Sequence, residues 1–251
     1  MKIRNFFGSK LSTRLWGRRS LGKFPLINDI EWMTWKSNEA SIYQHNQRKG
    51  IGLVINKAAY SIMQTIDLRN KTVLEIGAGD VLHLAHWQNI PREFVIVDIS
   101  EAMIDLSNKS FTNSGVNVTS YKITKQEPLP LMSNSVDVVI SFFSLEHIYP
   151  LDEHLNELHR VLKPGGVLVG GIPGEGGLAW GLGRLITSRR KVNKLKLFDY
   201  DKIIAWEHPN FADEIIDELD SIFLRKKIIF WPFRVHSIDL NLVIKFIYEK
   251  R

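Results

Sequence analysis

The chain has 251 residues, 44% of them hydrophobic and 24% charged, and no cysteine. That composition excludes general disorder, and the lack of cysteine excludes disulfides, thiolate metal sites, thiol nucleophiles and cysteine-bound iron–sulfur clusters. The net charge is +6, yet residues 1–23 hold seven basic side chains and no acid, leaving the remainder balanced at 26 basic against 27 acidic. The excess is therefore a local patch, which argues against a nucleic-acid partner.

In chain order, residues 1–35 read as a basic arm ahead of a domain over 36–251. Ile3, Phe7, Leu11 and Leu15 recur every four residues, but Arg14 and Arg18 fall in the same sector, and Gly8 and Gly17 weaken a helix. Two readings follow. The arm touches an anionic membrane surface, making a cytoplasmic protein peripheral at the inner membrane face, or it packs Phe6, Phe7 and Trp16 on the main domain. Packing is the commoner fate of a charged run. An Arg-rich, acid-free start also fits a transit peptide, whereas no hydrophobic secretory core is present. No apolar stretch has the ~18 residues of a membrane-spanning helix.

Residues 38–66 have helical periodicity with a break at Gly50 and Gly52. Short runs rich in Val and Ile then mark strands at Thr72–Ile76, Phe94–Val97, Val136–Ser141 and Gly166–Gly170. Helical stretches at Val81–Trp87, Glu101–Lys109 and Leu151–Leu162 separate them. This β-α-β-α order predicts an α/β fold, a doubly wound parallel sheet with helices on both faces. Residues 173–208 lack strand signal and are rich in glycine and basic residues, as in a substrate-binding or lid insert. A helix near Phe211–Leu219 and strands at Ile222–Trp231 and Asn241–Tyr248 complete the pattern.

The chemistry gathers after the first strand, at Glu75-Ile76-Gly77-Ala78-Gly79-Asp80. The dinucleotide fingerprint fails because its third glycine would fall at Leu82, and no Gly-Lys-Ser/Thr of a P-loop follows. Glu75 sits at a strand's carboxyl end, where open α/β sheets bind ligands, and a buried acid there suits a cationic group such as an amine. Asp98 ends the second strand, 21 residues after Gly77, at the spacing where an acid reaches ribose hydroxyls. Met103, about one helical turn on, is placed to cover an adenine.

Glu75-x-Gly77-x-Gly79, Asp98-Ile99-Ser100-x-x-Met103, Ser135-Val136-Asp137-Val138-Val139 with Leu145-Glu146-His147, and Arg160-Val161-Leu162-Lys163-Pro164-Gly165-Gly166 occur in that order. Over about residues 70–172 the chain resembles the class I S-adenosylmethionine-dependent methyltransferases. The resemblance implies a Rossmann-like, seven-stranded, mostly parallel sheet with an antiparallel edge, and S-adenosyl-L-methionine as cofactor. It implies that Gly77, Ala78, Gly79 and Phe142 line the cofactor, Glu75 supports its amino end, Asp98 takes the ribose hydroxyls, and Ile99 and Met103 flank the adenine. Two departures stand out. Val81 occupies the place of a third glycine, and Lys125, with Gln126, lies where an acid often receives the adenine amino group.

After the fourth strand the chain reads Ser141-Phe142-Phe143-Ser144, not the Asn/Asp-Pro-Pro-Tyr of nitrogen methylation. A hydroxyl or carbon acceptor is expected, with no metal, since no ligand spacing is convincing. His147 is the first base, because the loop after the fourth strand borders the methyl group in this fold; capping of the following helix is an equal reading. His45 and Tyr43, on the helix that lids the cofactor in the family, form a second pair, against the commoner reading of exposed helix residues. His208 follows Glu207 as a third. His83, His86, His154 and His159 read as structural. The layout of Ile172–Arg184, the basic residues from Arg189 to Lys196 and Glu207-His208-Pro209-Asn210 resembles a subgroup associated with bacterial surface polysaccharide synthesis. That resemblance makes Glu175, Arg184, Arg189 and Arg190 acceptor-binding residues, the arginines holding phosphate on a glycan precursor; a solvated basic helix is the alternative. O-methylation of a sugar hydroxyl leads. A lipid or quinone-like acceptor, an RNA acceptor and a non-catalytic cofactor-binding module remain open.

Overall fold

The computed structural model describes residues 3–37, 50–112, 114–124, 127–195 and 198–251. A seven-stranded sheet has the order β3-β2-β1-β4-β5-β7-β6. Its strands are β1 Thr72–Ile76, β2 Glu93–Asp98, β3 Val118–Lys122, β4 Val136–Phe142, β5 Leu162–Pro173, β6 Leu224–Trp231 and β7 Val243–Glu249. Strands β1 to β5 pair in parallel, and β7 is antiparallel to both β5 and β6. The doubly wound, Rossmann-like expectation therefore holds, including its antiparallel edge. Strand β3 carries no strand signal in the sequence: Val118-Thr119-Ser120-Tyr121-Lys122 is a polar edge strand, only half-buried at its start, and lacks a Val/Ile run.

The helices are α1 Ser9–Trp16, α2 at residues 30–37, α3 Ile51–Tyr60, α4 Glu101–Ser110, α5 Leu151–Val161, α6 Leu178–Ile186, α7 Ser188–Leu195, α8 Tyr200–Glu207 and α9 Ala212–Ile222. The expected helix at Val81–Trp87 is only a 3₁₀ turn, Leu82–His86. Gly50, at φ +61°, precedes α3, which fits the break expected there. The insert carries α6, α7 and α8.

Period-two alternation sorts the central strands onto two faces. Leu74, Ile76, Val95, Val97 and Val139 pack with Leu155 and Leu158 of α5 and Ile215 and Leu219 of α9. Val73, Phe94, Ile96, Val138, Ile140 and Phe142 pack with Ala59 and Tyr60 of α3, Ile62, Met63 and Phe111. The spacing puts Glu75 and Asp98 on this second face, which positions the site.

The basic arm folds back on the insert and α9. Leu15 and Trp16 are each 1% exposed, and the Trp16 indole donates to the Gly177 carbonyl at 3.2 Å. Arg4 forks onto Asp213 at 2.8 Å through both nitrogens, and Arg4 and Arg19 lie over the Phe211 ring. Arg18 pairs with Asp199 and Lys23 with Glu214. Of the three aromatics expected to pack, Trp16 is buried and Phe7 meets its ring, while Phe6 stays 66% exposed. Trp16→Ala is expected to destabilise the protein by about 3–5 kcal/mol, the usual loss for a fully buried large aromatic. Chemical denaturation checks this through a lower midpoint at unchanged slope.

Candidate active site

The strand order reverses between β1 and β4, the place where open α/β sheets leave a crevice at their carboxyl ends. Glu75 faces this crevice and is 1% exposed. The Trp87 indole N–H donates to His83 Nδ1 at 2.9 Å. An indole can only donate, so Nδ1 accepts and His83 carries its proton on Nε2. That proton is directed at Glu75 Oε1, 2.8 Å away. Burial pushes the Glu75 carboxyl up, and His83 opposes the rise. Glu75 Oε2 is buried with no partner among the described residues. A buried acceptor oxygen left bare costs about 1–3 kcal/mol, so this atom fits a donor brought in by a ligand. His83, read from sequence as structural, sets the orientation of Glu75; only the folded turn brings it there.

The glycine loop lies close against β4. Gly77 has φ +65°, and a Cβ there would fall 2.8 Å from Ser144 Cβ. Gly79 also has positive φ, +54°. Ser107 and Ser110 of α4 tie the loop down by donating to the carbonyls of Gly79 and Asp80, each at 2.8 Å. Val81 adopts φ 44°, ψ 39°, the left-handed conformation that a glycine takes without strain. The β-branched side chain thus sits in a glycine-like conformation, at a cost of about 1–3 kcal/mol. Ala78 and Phe142 are buried, and the Phe142 ring lies 4.9 Å from Tyr60 and 5.3 Å from His83.

Asp98 is partly buried at the end of β2, with Oδ1 accepting from Ser100 N–H at 2.8 Å. Burial raises its carboxyl, and as β1 and β2 are neighbours it lies on the same sheet face as Glu75. Ile99 is exposed, and Met103 is partly exposed beside it.

On the other side of the crevice, His147 follows β4. Its Nδ1 lies 2.7 Å from the Glu207 carbonyl oxygen and 3.4 Å from Glu207 Oε1, so Nδ1 donates and Nε2 is the exchanging nitrogen. Nε2 is 3.9 Å from Glu146 Oε1. Burial would lower the imidazole, but the Glu207 and Glu146 carboxylates outweigh it and raise it to about 9. The ring keeps 37% exposure, which leaves it open to an acceptor. Glu146 is 2% exposed, its Oε2 has no partner among the described residues, and burial raises it to about 7. Trp35 Nε1 donates to Glu207 Oε2 at 3.0 Å and Lys36 pairs with it at 3.4 Å, so α2 holds the acid that holds the histidine. Glu146 and Glu207 had neighbours in sequence reading but no role. Glu207 lies 60 residues from His147, and no local spacing joins them.

Other expected site residues are placed differently. His208 sits edge-on to His147 at 4.6 Å, and its Nδ1 donates to Glu175 Oε2 at 2.8 Å. Burial first, then the neighbouring His147 charge, push it down to about 4. Glu175 is fully buried, and Arg184, His208 and Arg19 hold it well below the usual carboxylate range despite its burial. Arg184 is 7% exposed and bonded to Glu175. Arg189 pairs with Asp201 and reaches the Arg14 carbonyl. Arg184 and Glu175 thus pair inside the insert, while Arg19 at 3.8 Å from Glu175 and Arg189 on the Arg14 carbonyl join the insert to the arm, as a buried charge needs a buried partner. Arg190 alone of the three arginines is exposed. Tyr43, His45 and Lys125 lie outside the described residues. Among the described residues, no group of three or more acids and histidines could hold a metal ion, and no helix is long and apolar enough to cross a membrane.

Residues 74–170 match the family described as Methyltransferase domain. Over that stretch, less than half of the chain, the sequence is that of a methyltransferase domain. A ubiquinone/menaquinone biosynthesis C-methyltransferase UbiE from Hydrogenovibrio crunogenus is 40% identical over 77 residues, 30% of each chain. An Escherichia coli O1:K1 protein of the same name is 33% identical over 106 residues, covering 40% of this chain and 42% of the relative. The chain thus aligns with less than half the length of these relatives. An S-adenosylmethionine-dependent methyltransferase structure from Aquifex aeolicus shares the fold at TM-score 0.52 and 17% identity, over 76% of this chain and 88% of its own. The methyltransferase domain implies S-adenosylmethionine as cofactor. The partnerless Glu75 oxygen, the glycine loop and Asp98 on the same face fit that cofactor.

Proposed function

We propose that this chain transfers a methyl group from S-adenosylmethionine to a hydroxyl-bearing acceptor, with His147 taking the acceptor's proton. The observation that carries this reading is the His147–Glu207 pair at the carboxyl edge of β4, beside the partnerless oxygen of Glu146.

Bound S-adenosylmethionine supplies a methyl on a sulfonium whose leaving group is a neutral thioether. Glu75 Oε2 would take its amino group, the backbone of Gly77, Ala78 and Gly79 its methionine part with Phe142 alongside, Asp98 its ribose hydroxyls, and Ile99 and Met103 its adenine. The domain's largest contribution is alignment, worth roughly 7–11 kcal/mol in well-oriented systems. His147 adds the proton transfer. The Glu207 carbonyl fixes Nδ1–H, Nε2 accepts the hydroxyl proton, and the two flanking carboxylates stabilise the imidazolium formed.

A sugar hydroxyl on a phosphate carrier remains compatible with this base, but Arg184 and Arg189, which were to hold the phosphate, are paired with internal acids. A phenol- or quinol-like acceptor needs no such anchor. Loss of its hydroxyl proton also activates the adjacent ring carbon; after methylation there the ring C–H proton leaves as the hydroxyl re-forms, so transfer to oxygen or to carbon releases one net proton. The quinone-pathway C-methyltransferases named above share this stretch of sequence, and their name supports the quinol-like choice. The test supplies methyl-labelled S-adenosylmethionine with either a quinol-containing lipid extract or a pool of phosphorylated sugars. Label in a quinol-type lipid is the expected result. Label in a sugar overturns the acceptor class, and cofactor binding without transfer to either pool overturns the enzyme reading in favour of a binding module.

A further inference from the structure

Residues 1–28 and 176–198 contain no acidic residue. The fold brings these two acid-free stretches together. Gly181 of α6 lies against Leu15 of α1, where an added Cβ would be 3.1 Å from the Leu15 carbonyl oxygen. Arg189 at the start of α7 donates to the Arg14 carbonyl at 3.0 Å, and the Arg14 charge bears on Arg189. The acids that follow, Asp199 and Asp201, pair with Arg18 and Arg189, the second pair largely buried. Among the described side chains, α1, α6 and α7 expose Lys10, Arg14 and Arg190 together with a set of apolar residues. Leu182 and Ile186, one helical turn apart on α6, are 49% and 67% exposed, and Leu11 of α1 is 44% exposed.

We infer that this outer face of α1, α6 and α7 docks on an anionic lipid bilayer. Cations around exposed leucine and isoleucine match what a bilayer interface offers: phosphate headgroups for the charges and acyl chains for the apolar tips. A nucleic acid would use the cations but leave Leu11, Leu182 and Ile186 in water. Arg4, Arg18, Arg19 and Lys23 do not serve here, since they are occupied by acids and carbonyls of the protein itself. This inference does not rest on methyl transfer.

The experiment is co-sedimentation of the full chain, without cofactor or acceptor, with phosphatidylcholine vesicles containing or lacking phosphatidylglycerol. Binding only to the anionic vesicles, weakening with salt, is expected. At about fivefold per cation near such a surface, the triple variant Lys10→Glu, Arg14→Glu, Arg190→Glu loses at least about 100-fold in affinity. Leu182→Ser with Ile186→Ser reduces binding while the charges remain. Thermal melting of each variant confirms folding, which is expected because all five side chains face outward. Equal binding to neutral vesicles, no binding at all, or unchanged binding by folded variants overturns the inference. So does tight binding of single-stranded RNA that both sets of vesicles fail to displace.

Discussion

Replacing Asp98 by alanine is expected to raise the dissociation constant for S-adenosylmethionine by about 100-fold or more. A carboxylate that accepts from both ribose hydroxyls makes two charge-assisted hydrogen bonds, each worth about 1.5–3 kcal/mol. Losing about 3 kcal/mol corresponds to roughly 100-fold. Fold stability should change little, because Asp98 is only partly buried and its described hydrogen bond is a local turn to Ser100. Burial and Glu75 raise the carboxyl, so affinity should also weaken as pH falls toward an acid range higher than that of an ordinary aspartate. Isothermal titration calorimetry at several pH values checks both statements. An alanine variant that binds the cofactor as tightly as the parent contradicts the placement of the ribose.

Replacing His147 by glutamine is expected to lower kcat by about 10²–10⁴, the usual contribution of a positioned base, with cofactor affinity unchanged. The pH profile makes this specific. A base works in its deprotonated form, and the imidazole is held at about 9. The parent's kcat/KM should therefore rise with pH until it levels near 9, and the glutamine variant should lack that limb. Glu207 acts through the histidine as a positioning residue. Glu207→Gln removes one of the charges that raise the imidazole, so the limb should move to lower pH, a shift that a purely structural defect would not produce.

The sheet was legible because buried parallel strands announce themselves as Val- and Ile-rich runs, and the cofactor side was legible because its residues lie at strand ends a fixed distance apart. Glu75, the glycines and Asp98 need only β1 and β2 to be neighbours, which the alternating order already implies. The acceptor side was not legible. The Glu207 carboxylate reaches His147 from the end of α8, and Trp35 and Lys36 reach Glu207 from α2, contacts that span 60 and 172 residues. The 3₁₀ turn at Leu82–His86 was likewise hidden, because left-handed Val81 ends the helical path that its neighbours' periodicity suggests.

By itself, then, the sequence determined the doubly wound architecture, the loop between β1 and its following turn, and the two acids on one face. These depend on local propensity and period-two alternation, which are written along the chain. Only the tertiary structure decided what the charges do. It turned Arg184 and Arg189 inward against acids and left Lys10, Arg14 and Arg190 facing water. A charge's role is fixed by its partner and its exposure, and both are set by which distant segments pack together.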